Sequence, residues 1–189
     1  MARTFEPGIE DNMTKDVDRL ADLYLFKTVP RRALKELCIM APPVRFKRGN
    51  KVFGQGDSAD VALLVIEGEL TASVEGDGQA RTVGKIGAGE VVGEQALFVS
   101  HGQRTATVIA SQPCTCLILS AQVADNAAEN AAIVALEKHL LGSQARRIRN
   151  TNLTIQKAWK GETGDTVYGK EEKKTGGLIK RLGSLFGGK

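Results

Sequence analysis

The sequence predicts an α+β protein, an eight-stranded double-sheet jelly roll (β-roll) with N-terminal helices in front and one long C-terminal helix behind. Three observations predict it. From Pro42 to Ser120, short alternating or apolar runs are punctuated by Gly49, Gly56, Gly68, Gly76, Gly78, Gly84, Gly87 and Gly89, the texture of turns between strands. Before that stretch apolar residues recur at helical spacing, and from Asn130 to Lys160 there is no proline and a single glycine, Gly142. With 189 residues and 42% apolar content, the chain can build one sizeable core and an appendage but not two ordinary domains. The domain is expected over 20–160, behind a flexible leader at 1–19 and ahead of a mobile linker and short basic amphipathic tail at 161–189.

Residues 1 to 14, with Pro7 and Gly8, read as polar and irregular. Val17, Leu20, Leu23 and Tyr24 then fall on one helical face, and after Pro30 so do Ala33, Leu34, Leu37 and Cys38; both faces should pack on a sheet. The predicted strands are Val44–Phe46, Lys51–Phe53, Val61–Ile66, Leu70–Val74, Arg81–Ile86, Glu90–Val92, Arg104–Ala110 and Thr115–Leu119. Eight strands suit a double-sheet jelly roll, which leaves no long bare edge. Val65, Leu70, Val83 and Leu97 are expected to line its interior, as core or as the face for a base.

From Ala121 the chain reads as helical again. A continuous helix from Asn130 to Lys160 would extend roughly 45 Å, further than a β-roll can cover. Ile133, Leu136, Leu140, Ile148, Ile155 and Trp159 form a stripe that either pairs with a twin helix or another protein, or folds back on its own domain with a break at Gly142. After Trp159 comes a charged, glycine-punctuated linker with little to bury. In the tail, Leu178, Ile179, Leu182, Leu185 and Phe186 would share a helical face beside a basic one, which makes it either a docking segment for a protein or membrane surface or a disordered end.

The chemistry concentrates between Val92 and Thr107. Gly93 permits close approach of a ligand to the backbone, and Ala96, Leu97, Phe98 and Val99 suggest a short helical turn with its first N–H groups directed at that glycine, an arrangement that suits an anion. Ten residues after Glu94, Arg104 opens a predicted strand, and a guanidinium at a strand's mouth can fork onto a phosphate. A carboxylate such as Glu94 tolerates that neighbour if it accepts a hydrogen bond from a hydroxyl, such as that of a ribose. A sugar carrying a phosphate diester meets all three requirements.

At these residues the chain resembles the cyclic-nucleotide-binding domain family, the module of the bacterial catabolite activator protein, of cyclic-nucleotide-dependent kinases and of gated channels. The resemblance covers about residues 20 to 155. It includes Phe46-x-x-Gly49-x-x-Val52-Phe53-x-x-Gly56-Asp57, then Ile66-Glu67-Gly68-Glu69-Leu70, then the Gly93 to Thr107 cassette. It implies that Glu94 binds the ribose 2′-hydroxyl, that Arg104 pairs with the cyclic phosphate, and that Gly93 and Ala96 offer backbone contacts. Val92, Gln95, Thr105 and Ala106 complete the implied ligand site. Gln95 departs from the apolar or basic residue usual in the family, at a position that lends chiefly its backbone.

Further along, Ala145-Arg146-Arg147-Ile148-Arg149-Asn150-Thr151-Asn152 resembles the catabolite activator segment whose two small polar residues reach the purine. Thr151 and Asn152 would be those residues here, or else polar members of a helical seam that set its register. An N-terminal helical hairpin that moves with ligand corresponds to Leu25 to Pro30. The implied ligand is cyclic AMP, with cyclic GMP tolerated because Thr105 can meet a guanine amino group. No other cofactor is implied.

The alternatives are a degenerate module of this kind that binds no nucleotide and serves as a scaffold, or a DNA-associated regulator. A formal charge of +4 is too mild to signal a nucleic-acid partner by itself; Arg146, Arg147 and Arg149 more simply cover a solvated helix face, and DNA binding lacks a reading module. Three cysteines are an odd number for a secreted disulfide framework, and Cys114 and Cys116 read as buried thiols on one strand face. His101 and His139 lie far from them without a ligand motif, so no metal is expected. An enzyme such as a phosphodiesterase would need a metal cluster or a base-activated nucleophile. The start carries acids where a signal peptide has an apolar run, so the expected location is the cytoplasm and the expected output a partner protein or a second copy of the chain.

Overall fold

The computed structural model of the protein describes residues 7–99 and 101–159, with side chains from Asn12 onward. The linker and tail expected at 161–189 and the chain before Pro7 lie outside the described residues. Helix α1 spans Pro7–Asp22, where the sequence reading places irregular chain up to residue 14. A proline costs nothing at the first helical position, because its missing N–H has no partner there in any case. A 3-10 turn, Tyr24–Phe26, links α1 to α2 (Arg31–Met40).

Among the described residues ten strands follow rather than eight: β1 (Pro43–Phe46), β2 (Lys51–Phe53), β3 (Ser58–Ala59), β4 (Ala62–Glu67), β5 (Leu70–Gly76), β6 (Gln79–Ile86), β7 (Val91–Val92), β8 (Gly102–Gln103), β9 (Thr107–Ala110) and β10 (Cys114–Leu119). They form two four-stranded sheets, ordered β1-β10-β4-β7 and β2-β9-β5-β6, and a two-stranded sheet of β3 and β8. All pairings are antiparallel. The two additional strands are two residues long each, too short to show alternation in a sequence. After β10 come α3 (Ala121–Asn126) and α4 (Ala131–Trp159).

The continuous apolar run Ala62-Leu-Leu-Val-Ile66 is explained by burial on both faces of β4. Ala62, Leu64 and Ile66 face a core shared with the helices, whereas Leu63 and Val65 face a second core formed with the β2-β9-β5-β6 sheet. Strand β10 divides the same way, with Leu117 and Leu119 on the helix side and Cys114 and Cys116 between the sheets. Val17, Leu20, Leu23 from the α1 end and Ala33, Leu34, Leu37, Cys38 from α2 are all buried, as the helical spacing predicts.

One buried charge locks α1 in place: Asp16, 1% exposed, accepts from Arg45 Nη2 at 2.7 Å and Arg19 Nη1 at 3.2 Å. Arg19 also pairs with Glu67 Oε2 at 2.8 Å, which ties α1 to β4. Tyr24, placed with the buried face by its spacing, is instead 61% exposed and shares a hydrogen bond with His139 Nδ1 of α4 at 2.9 Å, their rings edge to face. Val83 is likewise exposed rather than interior, because the β5–β6 register passes from Ala72↔Gly84 to Ser73↔Thr82 and leaves Val83 as the extra residue of a bulge.

Asn130 caps α4 through Ala132 N–H to its Oδ1 at 2.8 Å, while its amide reaches Ala33 O and Glu36 Oε2 of α2. The helix passes through Gly142 without a break. The described residues separate into two compact units, one ending at Gln144 and the other beginning at Ala145. In the first, Ile133, Leu136 and Leu140 of the stripe are buried; in the second, Ile148, Ile155 and Trp159 are exposed.

Burial also decides thiol chemistry. Cys38, Cys114 and Cys116 are free and buried. Burial, with Asp16's charge adding to it, pushes Cys38 up to about 11, and burial beside Cys114 pushes Cys116 up to about 12. The reactive species is the thiolate, so at pH 8 the folded protein should react with a thiol-specific reagent far more slowly than the same protein in denaturant. Rapid labelling of Cys116 in the native protein would contradict this packing.

Candidate functional site

Gly93 follows β7 and adopts φ +75°, a left-handed conformation that a side chain would strain. It caps the 3-10 turn Glu94–Leu97, the turn expected from the apolar residues that follow it. A Cβ at Gly93 would collide with Arg104 Nη1 and approach Phe53 Cε2 to 3.2 Å, so the glycine is required both by its backbone and by the guanidinium above it. Ala96 is buried and its N–H closes the turn onto Gly93 O at 3.1 Å. Gln95 is exposed, while Val92 is half-buried and paired with Leu63.

Arg104 does not open a strand; it lies in the loop between β8 and β9, which starts three residues later at Thr107. The loop is pinned there because Arg104 N–H donates to Asp57 O and Gly56 N–H donates to Arg104 O, both at 2.8 Å. Asp57 is in turn fixed by Gly54 N–H, which donates to its Oδ2 at 3.0 Å. The Phe53-x-x-Gly56-Asp57 signature therefore builds the floor and the wall on which Arg104 rests.

The Arg104 side chain is 8% exposed. Its guanidinium carbon sits 3.6 Å from the centre of the Phe53 ring, and Nη2 donates to Val61 O at 2.7 Å. Nε and Nη1 are buried with no hydrogen-bond partner. Burial pulls the guanidinium below its ordinary pKa, and the charges of Asp60 and Asp57 act in the opposite direction. A planar cation with two buried donors unmatched is a costly arrangement that an anion in reach would relieve.

Glu94 is half-buried and its Oε1 accepts from Gln144 Nε2 of α4 at 3.0 Å. Thr105 is exposed and Ala106 half-buried, both in the loop behind Arg104. Thr151 and Asn152 are exposed residues of α4 within the second compact unit. Sequence reasoning missed Phe53 as the platform, Val61 as an acceptor and Gln144 as a partner of Glu94. Phe53 belongs to the motif that runs from Phe46 to Asp57, but nothing in the sequence distinguishes the Val61 carbonyl or Gln144. Among the described residues no three His, Cys, Asp or Glu side chains group so as to hold a metal ion, and no helix is long and apolar enough to cross a membrane.

Residues 43–131 match the family model of the cyclic nucleotide-binding domain, so the chain carries a domain of that family. Among solved structures, it is similar to the N-terminal domain of a transcriptional regulator from Streptomyces coelicolor A3(2), at 30% identity over 71% of this chain and 95% of that one, with a TM-score of 0.54. Thermus thermophilus catabolite activator protein shares 25% identity over 70% of this chain and 61% of its own, with a TM-score of 0.59. A cAMP-binding acyltransferase from Mycobacterium smegmatis shares 25% over 67% of this chain and 40% of its own, with a TM-score of 0.56. A curated relative, lysophospholipase nte1 of Aspergillus terreus, is 38% identical over 66 residues, which are 34% of this chain and 4% of that protein.

Proposed function

We infer that the protein is a cyclic mononucleotide sensor whose ligand is cyclic AMP, with cyclic GMP tolerated, and which relays occupancy through its flanking helices to a partner protein or a second copy of itself. One observation supports this most directly: a buried Arg104 with Nε and Nη1 unmatched, set above the left-handed Gly93 and the turn that follows it. In this reading Arg104 takes the cyclic phosphate and Glu94 the ribose 2′-hydroxyl. The cAMP-binding Mycobacterium smegmatis neighbour favours cyclic AMP. The enzymatic names do not transfer with it, since the match falls on 40% of that acyltransferase and 4% of the lysophospholipase. The reading is of a cytoplasmic regulatory domain without catalysis of its own.

The mechanism is a population shift, which requires the ligand to bind one arrangement of the helices better than another. Exposed Ile148, Leu153, Ile155 and Trp159 on α4 offer apolar surface for the output. Calorimetry with cyclic AMP, cyclic GMP and cyclic di-GMP tests the reading directly; cyclic AMP should bind tightest, and silence with all three would sink it. Base selection has its own test. Thr105→Ala should change the affinity ratio of cyclic GMP to cyclic AMP, by removal of one hydroxyl hydrogen bond worth about three- to tenfold; an unchanged ratio means that Thr105 does not read the base.

A further inference from the structure

Glu94 is held from one side by a residue that nothing in its own loop supplies. Gln144 lies on α4, 50 positions away in sequence, and its amide nitrogen donates to Glu94 Oε1 at 3.0 Å in a half-buried contact. A carboxylate has two oxygens and several lone pairs, so it can accept from a carboxamide and a hydroxyl together. The position of Gln144 along α4 adds a second observation. Buried anchoring of the helix ends at Leu140, and Leu141 is 71% exposed. Gly142 then follows, a poor helix former, and Ser143 Oγ–H donates back to Leu140 O at 2.8 Å. The Gln144 contact thus fastens α4 to the cradle at the point where the helix's own packing has stopped.

We propose that Gln144 is a positioning residue for the sugar site: Glu94 bridges the ligand's 2′-hydroxyl and the Gln144 carboxamide, so that hydroxyl recognition and docking of α4 at residue 144 reinforce each other. This rests on the cyclic-nucleotide reading above. The physical link is mutual. Gln144 holds the Glu94 carboxylate in one orientation, which removes rotamer freedom that a hydroxyl would otherwise have to overcome. By reciprocity, a hydroxyl bound at Glu94 stabilises the Gln144 contact by the same factor. A nucleotide without that hydroxyl gains nothing from Gln144.

The experiment compares cyclic AMP with 2′-deoxy cyclic AMP in the full-length protein and in Gln144→Met, which keeps length and helix propensity but has no donor. Cyclic AMP affinity should fall about three- to tenfold, 2′-deoxy cyclic AMP affinity should stay level, and the ratio of the two should narrow. Gln144→Lys, which retains a donor, should restore the ratio. Hydrogen exchange supplies a readout that a merely structural role would not move: cyclic AMP should slow exchange around residues 140–144 in the wild type and not in Gln144→Met. A bound wild type with an unchanged ratio in Gln144→Met overturns the inference alone, as does tighter cyclic AMP binding, which would make the carboxamide a competitor. No binding by the wild type overturns the cyclic-nucleotide reading and this inference together.

Discussion

Arg104→Ala should lose about 2–5 kcal/mol of cyclic nucleotide affinity, tens to thousands of fold, because it removes the buried partner of a charged group. The same substitution should leave stability within about 1 kcal/mol of wild type, since it also removes two buried, unmatched donors along with the Val61 and Phe53 contacts. This separation of binding from folding is the informative part. Titration calorimetry and a thermal melt on the same sample measure both. Arg104→Lys should recover only part of the affinity, because an ammonium keeps the charge but not the fork. Unchanged affinity in Arg104→Ala, with the fold intact by circular dichroism, would remove Arg104 from the site. Glu94→Ala should cost less than Arg104→Ala, because the carboxylate's partner on the sugar is a neutral hydroxyl rather than a charged phosphate.

Gly68→Ala should be the most damaging single methyl in the sheet region. Gly68 turns the chain from β4 into β5 at φ +89°, and a Cβ there would collide with Pro113 O and lie 2.6 Å from Cys114 Cβ. The opposing segment cannot retreat freely. Ser111 and Gln112 N–H both donate to Glu69 O, and Ser111 Oγ–H bonds to the same residue. Left-handed strain of about 1–2 kcal/mol and overpacking of about 1–3 kcal/mol, less the smaller entropic gain in the unfolded chain, leave a net loss of about 2–4 kcal/mol. For a chain of this size that is a fall in Tm of roughly 5–15 °C. A thermal unfolding midpoint within about 2 °C of wild type would show that the β4–β5 turn can move. The loss should appear in stability first, with nucleotide affinity of the folded fraction preserved, which is the reverse of Arg104→Ala.

The helices and strands were legible wherever burial imposes a period. Leu34, Leu37 and Cys38 share a face because α2 has one side on the core, and the unbroken Ala62–Ile66 run announces a strand covered on both sides. Glycines at Gly68 and Gly93 were legible too, because only glycine adopts those backbone angles cheaply. Glu94 and Arg104 stand out in the sequence as candidate site residues of one cassette. Where no period acts, the reading drifted. Helix α1 begins inside what composition presents as an irregular leader, the two-residue strands β3 and β8 carry no pattern, and the Val83 bulge reverses an otherwise regular alternation.

Local sequence, then, determined the elements that carry a hydrophobic period and the candidate residues of the cassette, because dihedral preference and hydrophobic period act between near neighbours in the chain. The tertiary structure alone decided what Arg104 and Glu94 experience. The guanidinium is desolvated by Phe53, supported by the Val61 carbonyl and pinned through Gly56 and Asp57, all distant from it in sequence, and Glu94 is met by Gln144 from the far side of the chain. Burial and hydrogen-bond completion are properties of atoms brought together by folding, and no spacing within a cassette records which carbonyl, ring or amide arrives.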